Sequence, residues 1–531
     1  MNVNPHPDQV FTREDWPSDM RRRPGMRWFE RPRAVELRCD VVVVGSGAGG
    51  AVVAAELAEA GFDVIIVEEG RYFRTEQFDG NTSRALRTLY RDGGASVSLG
   101  TPPIIFAEGR CVGGSTVING GMTWRTPERV LDRWHREHGV EGIRAAEMES
   151  VFMRVERFVS AGTQDPESIG RDNALLREGA EALDWEVIPN IRNQFHCAGT
   201  NNCAFGCPTG AKRSTLVTYI PRALHYGARL YSDLRVDTLL TRGKRIVGVE
   251  AHVVLDDRSA GGLVRIHADQ TVVACGAIHT PALLSRSKIK SHSGAIGKNL
   301  TLHPNSKVMA VFDEDIFGWQ GVHQAYQVRE FRDEGFLMAA VNVPPGIVAM
   351  GMPNYGREME RVLSQYNKIV SAGLLVEDTV SGQVKTGPGG IPLAFYELSD
   401  FDAEKLVRGT ALLCELLFEV GAKEIVLPFA GMENLRSADD IRRLYAHKIP
   451  KGHMELMTVH MMGTCGMGDD PGRHVCDSWG KVYDTEGLWI ADASLFPSPI
   501  GVNPMETVQA LATRNAARII QSRHPAARMV I

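Results

Sequence analysis

The sequence lacks a long uninterrupted apolar run, and it lacks a strong excess of charge of either sign. A membrane-spanning helix needs about 18 or more consecutive apolar residues, and no stretch of the 531 residues approaches that length. The chain carries 59 Lys and Arg against 64 Asp and Glu, a net charge of −5. So small a charge gives no basic footprint for phosphate backbones. We therefore predict no membrane span and no nucleic-acid partner.

The N-terminus lacks the apolar core that an export signal requires. Residues 1–38 are polar and dotted with proline, and Arg21–Arg23 are followed by no hydrophobic segment. We interpret this stretch as an irregular lead-in that precedes the first domain. The sequence thus predicts a cytoplasmic protein.

The sequence also lacks the pattern of a disulfide framework, because its nine cysteines are odd in number and mostly isolated. Cys197, Cys203 and Cys207 do cluster, with His196 beside them. Thiolates at such spacing could hold zinc or an iron–sulfur cluster. The alternative is a glycine-rich loop that only packs against its surroundings. We favour the packing loop and predict no metal site, with the iron–sulfur reading kept as the alternative.

A glycine-rich turn follows the first apolar segment. Asp40–Val44 is rich in β-branched residues without alternation, which is typical of a strand buried on both faces. Gly45, Gly47 and Gly50 follow it, then an alanine-rich helix and a second strand that ends at Glu68. In a βαβ unit such glycines allow a tight turn, a close approach to a diphosphate and close helix packing. The acidic residue at the second strand favours ribose hydroxyls, so the pattern predicts FAD or NAD rather than NADP.

A second glycine-rich segment, EGRCVGGSTVINGGMTWR, spans residues 108–125. Its glycines remove side chains from two turns, and hydroxyl and amide side chains stand between them; these residues are Gly113, Gly114, Ser115, Thr116, Asn119, Gly120 and Gly121. The composition suits a loop that lies against a large flat ligand. Taken alone, a plain glycine-rich loop remains an equal alternative.

Two later segments repeat the pattern of a strand followed by a turn and a helix. TVVACGAIHTPALL predicts a buried strand that turns through Gly276 into a helix. Near the C-terminus a strand over Leu488–Ala491 reaches Asp492, and a long amphipathic helix closes the chain. Asn503 is suited to the N-cap and Pro504 to the first turn of that helix.

Taken together, these blocks resemble the glucose-methanol-choline (GMC) oxidoreductases, a family of FAD flavoenzymes. The resemblance rests on VVVVGSGAGGAVVAAELAEAGFDVIIVEEG, GRCVGGSTVINGG, VVACGAIHTPALLSRS, IGKNLTLHP, HMMGTCGMG and ADASLFPSPIGVNPMETVQALA, in the family's order. In motif detail the chain looks closest to the cholesterol oxidase-like and long-chain alcohol oxidase-like branches. The implied fold is α/β, with a Rossmann-like FAD-binding domain and a discontinuous substrate domain that has an antiparallel sheet and helices.

The resemblance also implies a division of the chain. Residues 39–300 would form the FAD-binding domain, with an inserted segment at about 127–195. Residues 301–450 would form the substrate domain, and residues 451–531 would return to the FAD domain with the catalytic groups.

The resemblance further assigns FAD contacts across the whole chain. These are Gly45, Ser46, Gly47, Gly50, Glu68, Arg110, Gly113, Gly114, Ser115, Asn119, Gly120, Gly121, Met122, Val236, Ala274, Asp492, Ala493, Asn503 and Pro504. Where flavinylated members carry a histidine, this chain has Ile118. We therefore expect FAD to be bound non-covalently.

Alcohol oxidation needs a hydride acceptor and a base for the hydroxyl proton, and histidine suits the second role. The family places the hydride on flavin N5. His460 matches its catalytic histidine and Asn503 the partner that orients the substrate oxygen, whereas we interpret His279 and His303 as structural. A lyase that holds FAD without redox turnover, and a dehydrogenase that passes electrons to a protein partner through a cluster at the three cysteines, are the alternatives.

The substrate itself is not encoded in a motif. Apolar residues of the predicted substrate domain, among them Phe317, Trp319, Phe336 and Met352, favour a hydrophobic alcohol. The alternative is that they form ordinary core, as such residues more often do. The electron acceptor would be oxygen or an electron-carrier protein.

Overall fold

The computed structural model describes residues 9–23 and 34–523. The strands are β1 (Val10–Phe11), β2 (Ala34–Val44), β3 (Val64–Val67), β4 (Ser96–Val97), β5 (Ile104–Phe106), β6 (Ala161–Gly162), β7 (Val187–Pro189), β8 (Arg192–Asn193), β9 (Arg229–Tyr231), β10 (Leu234–Arg242), β11 (Arg245–Val254), β12 (Ala260–Val273), β13 (Lys298–Leu300), β14 (Asn305–Val311), β15 (Tyr326–Val328), β16 (Phe336–Ala340), β17 (Ile369–Val376), β18 (Gly382–Thr386), β19 (Pro392–Phe395), β20 (Glu424–Val426), β21 (Leu456–Thr458) and β22 (Leu488–Ile490). The helices are α1 (Gly50–Glu59), α2 (Thr82–Leu89), α3 (Glu128–His138), α4 (Ala145–Phe158), α5 (Arg171–Ala182), α6 (Tyr219–His225), α7 (Gly276–Arg286), α8 (Pro345–Met350), α9 (Gly356–Leu363), α10 (Asp400–Glu419), α11 (Arg443–Ala446) and α12 (Met505–Arg523). No described helix combines the length and apolar character that a membrane crossing requires.

The first large sheet has the strand order β1-β9-β3-β2-β12-β11-β10, and β22 also pairs with β12. The strands β1, β9, β3, β2, β12 and β22 are mutually parallel, whereas β11 and β10 continue the sheet antiparallel. Helix α1 connects β2 to β3 and packs against α6 and α12. The predicted dinucleotide-binding unit is present, with its glycine-rich turn at the carboxyl end of the central strand, where such sheets bind ligands.

The first parallel strand begins earlier than predicted, at Ala34 rather than Asp40. The reason is its partner: β12 is 14 residues long and pairs with β2 from Ala34 to Val44. The outer half of β2 alternates in burial, and only Val41–Val44 carries the fully buried pattern that the sequence revealed. The lead-in also contributes a strand, since Val10–Phe11 pairs with β9 at the sheet edge.

The second large sheet has the order β4-β5-β21-β14-β17-β16-β15-β7, with β20 also paired to β14. Helices α10 and α5 cover one face of this sheet, where Val308, Ala310 and Leu374 join the core. Strands β14, β16 and β17 and helix α10 supply the antiparallel sheet and helical cover that the resemblance implied for the substrate domain. The sheet takes strands from before residue 300 and after residue 450, and the division into domains stays a prediction.

The closing helix begins one residue later than predicted. Helix α12 starts at Met505, and the Pro504 carbonyl accepts a hydrogen bond from the Val508 amide, 3.0 Å away. Pro504 thus precedes the first helical residue instead of occupying it. The Asn503 side chain is directed to His460 rather than to the helix amides.

Candidate active site

A cavity of about 1120 Å³ lies between the two large sheets. Its walls include the glycine-rich turn after β2, the carboxyl end of β12, and the face of β14 and β17 turned away from α10. Ligand pockets are commonly 300–1,000 Å³, so this cavity exceeds the range for one small ligand. The volume suits a large cofactor and a substrate in the same chamber.

The glycine-rich turn forms a cradle that side chains would obstruct. A Cβ atom at Gly45, whose φ is +101°, would lie 2.3 Å from the Ala274 carbonyl oxygen, and one at Gly49 would lie 1.6 Å from that of Ala491. These glycines allow the turn to touch the ends of β12 and β22. Gly47 differs, because its Cβ would meet no atom within 4 Å although the residue lines the cavity. The missing side chain at Gly47 keeps open space beside the backbone, which fits a diphosphate at this turn.

The Glu68 carboxylate ties the turn to the end of β3. It accepts hydrogen bonds from the Ser46 amide at 3.0 Å, the Ser46 hydroxyl at 2.7 Å and the Gly70 amide at 2.8 Å. Burial raises the pKa of Glu68, an effect that these hydrogen bonds oppose. Glu68 also lines the cavity, so its predicted role towards a ribose and its role in fixing the turn are compatible.

The second glycine-rich segment packs directly on the first. The Ser46 hydroxyl accepts a hydrogen bond from the Gly113 amide at 3.0 Å, and a Cβ at Gly114 would lie 2.9 Å from the Gly47 Cα. Asn119 contacts the start of α12, with its amide nitrogen 3.0 Å from the Met505 sulfur. Segments distant in the chain are thereby joined around the cavity.

Lys212 holds this segment from behind, a role that sequence analysis missed. Its ammonium is buried and donates to the carbonyl oxygens of Val117 at 2.8 Å, Asn119 at 2.7 Å and Cys203 at 2.6 Å. Burial lowers the pKa of Lys212 to about 8. The spacing of Lys212 behind the cysteine cluster was the available signal, but its function depends on the fold.

Replacing Lys212 with methionine is expected to weaken both folding and FAD retention. The change keeps the aliphatic stem but leaves three buried carbonyl oxygens without their donor, at about 1–3 kcal/mol for each acceptor left unsatisfied. Denaturant unfolding and the FAD-to-protein ratio after gel filtration measure the two effects. Lys423→Met, at an exposed lysine, is the matched control. Unchanged stability and FAD content in Lys212→Met would contradict the assignment.

The structure brings most of the predicted cofactor contacts to the cavity. Those that line it are Gly45, Ser46, Gly47, Glu68, Gly114, Ser115, Asn119, Gly120, Gly121, Met122, Val236, Ala274, Asp492, Ala493, Asn503 and Pro504. Gly50, Arg110 and Gly113 lie outside the lining. Gly50 packs on Gly45, Arg110 is 3.8 Å from the Glu69 carboxylate, and Gly113 is held by Ser46.

Asp492 fixes the loop after β22. Its carboxylate accepts hydrogen bonds from the Gly276 amide at 2.9 Å, the Thr280 hydroxyl at 2.5 Å and the Ser494 amide at 2.8 Å. It therefore joins the start of α7 to the C-terminal segment that carries Asn503.

His460 and Asn503 meet at the cavity wall. The Asn503 amide nitrogen lies 3.2 Å from His460 Nε2, and both residues line the cavity. With the amide donating, the Nε2 lone pair accepts, and the ring carries its proton on Nδ1, which has no hydrogen-bond partner among the described residues. The His460 backbone is fixed by a bond from its amide to the Thr458 hydroxyl, 3.1 Å away. The pair therefore offers a proton acceptor and a hydrogen-bond donor at one point.

His303 packs beside His460, and burial keeps both rings neutral. The ring centroids are 5.5 Å apart and nearly perpendicular, and His303 Nε2 accepts the Gly501 amide at 3.1 Å. Burial lowers the pKa of His303 to about 3, and burial together with the His303 charge lowers the pKa of His460 well below 6.5. His303 bonds the backbone and does not line the cavity, as a structural residue would. His279, which we also read as structural, does line it, with Nε2 3.4 Å from the Glu108 carboxylate.

The cysteine cluster is woven into hydrogen bonds of the surrounding loop. The Cys203 thiol accepts from the buried Arg192 guanidinium at 3.4 Å, and the Cys207 thiol accepts from the Lys212 amide at 3.4 Å. Across 9–23 and 34–523, no three His, Cys, Asp or Glu side chains are grouped in a way that could hold a metal ion.

The apolar residues that suggested a hydrophobic substrate do not form the cavity wall. Phe336 belongs to the core against α10, Met352 packs in a small cluster with Val348, and Phe317 is exposed. The apolar part of the wall is built instead by Leu337, Val341, Ile347 and Leu375 together with other side chains. The inference from composition was wrong at these positions because large apolar residues more often fill a core.

A glycine-rich turn suited to a dinucleotide thus lies in the same cavity as the His460–Asn503 pair. Sequence models described as GMC oxidoreductase match residues 86–305 and 388–512, and one described as FAD binding domain matches residues 40–80. The chain belongs to the GMC oxidoreductase family, and its cofactor is FAD.

Relatives of this chain support the same family. An uncharacterized GMC-type oxidoreductase of Mycobacterium tuberculosis is 36% identical over 477 residues, which cover 90% of this chain and 75% of the relative. A long-chain-alcohol oxidase of Arabidopsis thaliana is 27% identical over 523 residues, 92% of this chain and 67% of the relative. The crystal structure of pyridoxine 4-oxidase from Mesorbium loti matches the fold with a TM-score of 0.67 at 19% identity, covering 92% of this chain and 100% of that one.

Proposed function

We propose that the protein oxidises an alcohol to an aldehyde or ketone at the His460–Asn503 pair, with oxygen as the acceptor. The observation that carries the proposal is the 3.2 Å contact between the Asn503 amide and His460 Nε2 at the wall of the FAD cavity. The likeness to a long-chain-alcohol oxidase supports an alcohol as the substrate. Bound FAD supplies the hydride acceptor for the carbinol carbon.

The two side chains have complementary tasks towards one hydroxyl group. A substrate hydroxyl would replace the Asn503–His460 hydrogen bond: it donates to the Nε2 lone pair that the Asn503 amide occupies in the structure, and its oxygen accepts the amide N–H released by the exchange. His460 then takes the hydroxyl proton while Asn503 holds the oxygen in place, and such positioning lowers the barrier by several kcal/mol. The His460 side chain is buried, which limits the access of bulk solvent to its ring.

The FAD is held by the two glycine-rich segments without a covalent bond. Ile118, at the position of the histidine in flavinylated relatives, has an aliphatic side chain that cannot form one, and it lines the cavity. Gly47, Gly114 and Gly120 leave the backbone of the cradle bare. Precipitating the protein in acid would therefore release the flavin into the supernatant.

The function is tested by an anaerobic screen of alcohols against the FAD-loaded protein. Loss of the oxidised-flavin absorbance with an alcohol, and formation of the matching carbonyl compound, are the expected results. Readmitting oxygen should restore the absorbance if oxygen is the acceptor. Cleavage of a cyanohydrin without loss of absorbance would identify a lyase and overturn the proposal.

The rate of flavin reduction should be insensitive to pH around neutrality. Only the neutral His460 ring accepts a proton, and its pKa is lowered well below 6.5 by burial and by His303. Activity should therefore stay constant as the pH falls to 6.5 and decline only as it passes through the lowered pKa. Rapid mixing with alcohol under anaerobic conditions at a series of pH values measures this. A decline centred at or above pH 6.5 would contradict the lowered pKa.

A further inference from the structure

Lys307 stands in the cavity wall without a partner. It lies on β14, on the face turned away from α10, and its side chain is part of the cavity lining. Among the described residues, its ammonium makes no hydrogen bond and no ion pair. Burial alone lowers the pKa of Lys307 to about 8, so the group is largely charged at neutral pH.

Other buried lysines of this protein are satisfied. Lys212 donates to three carbonyl oxygens, and Lys405 bonds the Asp402 carboxylate at 2.9 Å and the Glu377 carbonyl at 2.7 Å. A charge buried without a counter-charge is unfavourable. The Lys307 ammonium can therefore pair with an anionic ligand that binds in the cavity.

A second donor without an acceptor lies on the same face of the sheet. Gln327 is 2% exposed, lines the cavity, and its Nε2 has no hydrogen-bond partner. The register places Lys307 opposite Gly373, Gly373 opposite Ala339, and Ala339 opposite Gln327. Because neighbouring strands are about 4.8 Å apart, the Cα atoms of Lys307 and Gln327 are separated by about 14 Å. Only the small residues Gly373 and Ala339 stand between them on this face of the sheet.

The lysine stem lies over Gly373, the neighbouring residue on the side of Gln327. Lys307 Cγ lies 3.0 Å from the position that a Cβ of Gly373 would take. The Lys307 charge contributes to lowering the pKa of the His323 ring, which also lines the cavity. Lys307 and His460 lie on different segments of the chain that line the same cavity.

The carboxylates of the cavity are already engaged elsewhere. Each of Glu68, Glu69, Asp92, Glu108, Asp237 and Asp492 has a hydrogen-bond or ion-pair partner of its own. None contributes to the pKa of Lys307. Within 9–23 and 34–523, no acidic side chain acts as a counter-charge for Lys307, so a ligand in the cavity could supply it.

We propose that Lys307 and Gln327 form a subsite for a carboxylate, so that the preferred substrates are hydroxy acids with the alcohol at His460 and the acid group at Lys307. One cation and one neutral amide match a singly charged group, whereas the second charge of a phosphate monoester would remain uncompensated. The assignment of a hydroxy acid rests on the proposed alcohol oxidation. The carboxylate subsite stands on the unpaired donors alone.

Calorimetry with the FAD-loaded protein tests the subsite independently of turnover. The probes are straight-chain alkyl carboxylates of increasing length, with alkyl sulfonates and alkyl phosphates as other anions. We expect carboxylate binding that weakens at least about 10-fold in Lys307→Met, the loss of one charged hydrogen bond, and stays unchanged in Lys290→Met, at an exposed lysine. Equal affinity in wild type and Lys307→Met, or tighter binding of phosphates, would overturn the subsite.

Steady-state kinetics then test the substrate class. Straight-chain ω-hydroxy acids are compared with their methyl esters, which carry the same alcohol without the charge. We expect a higher kcat/KM for the acids in wild type and loss of this preference in Lys307→Met. If the esters are oxidised as well as the acids, the proposal is wrong although alcohol oxidation holds; if no alcohol is oxidised, the proposed function fails and calorimetry still decides the subsite. If Lys307→Met does not fold, Lys307→Gln replaces it. The wild-type ratio of kcat/KM for each acid to that for its methyl ester still shows whether the enzyme prefers the acid.

Discussion

Replacing His460 with alanine is expected to slow flavin reduction by alcohol roughly 10²- to 10⁴-fold, the contribution that a positioned general base makes. Among the described residues, His460 Nε2 is the one atom that accepts a hydrogen bond from Asn503 Nδ2, so no other base replaces it there. The effect should appear in the limiting rate of absorbance loss at saturating alcohol, because the base acts in the transition state. FAD content should stay near that of the wild type, since His460 bonds Asn503 and the Thr458 hydroxyl rather than the glycine-rich segments.

Two further variants separate a lost base from a disturbed fold. His460→Gln keeps a polar side chain that can contact Asn503 but cannot take a proton at neutral pH, so it should be as slow as alanine. His474→Ala removes another buried histidine, which contacts His138 at 3.1 Å, and it should reduce at the wild-type rate. A His460→Ala protein that loses its flavin absorbance at the normal rate would refute the base assignment.

Replacing Gly47 with valine is expected to weaken FAD binding by about 10- to 100-fold while the chain still folds. The new side chain meets no protein atom within 4 Å of its Cβ, so it enters open space at the cavity wall instead of clashing with the backbone. There it would prevent a diphosphate from reaching the backbone amides of the turn. The loss of one hydrogen bond to a charged group costs about 1.5–3 kcal/mol. Titration of the apoprotein with FAD, followed by flavin fluorescence, measures the change.

Gly162→Val is the matched control, because a Cβ at Gly162 also meets nothing within 4 Å and the residue does not line the cavity. It should bind FAD as the wild type does. Gly49→Ala should behave differently from both, since its Cβ would lie 1.6 Å from the Ala491 carbonyl oxygen and the fold itself would suffer. Normal FAD affinity in Gly47→Val would show that the diphosphate lies elsewhere.

The sequence predicted local structure where local chemistry determines it. The turn at Gly45–Gly50 needs residues without side chains, so the positions of its glycines in the sequence were enough to predict the βαβ unit. The His460–Asn503 pair was accessible only through the resemblance to a family, because 43 residues separate its members. The extension of β2 back to Ala34 could not be seen, since its cause is the pairing with β12 more than 200 residues away.

The least predictable features are those that depend on what a side chain fails to meet. No feature of the sequence distinguishes Lys212 from Lys307. In the structure, Lys212 donates to three carbonyl oxygens, whereas Lys307 lines the cavity without a hydrogen-bond partner among the described residues. Phe336 and Met352 suggested a substrate wall and instead fill cores. Burial and the vacancy of a donor are properties of the fold, and no local pattern records them.

The central claim is that the alcohol gives up a hydride at its carbinol carbon while His460 takes the hydroxyl proton. The most direct test mixes FAD-loaded protein anaerobically with one equivalent of an alcohol deuterated at that carbon, and with the unlabelled alcohol. The account predicts that the oxidised-flavin absorbance is lost more slowly with deuterium, and that one carbonyl product forms for each flavin. Absorbance that persists with every alcohol, or that is lost without any carbonyl product, would contradict it.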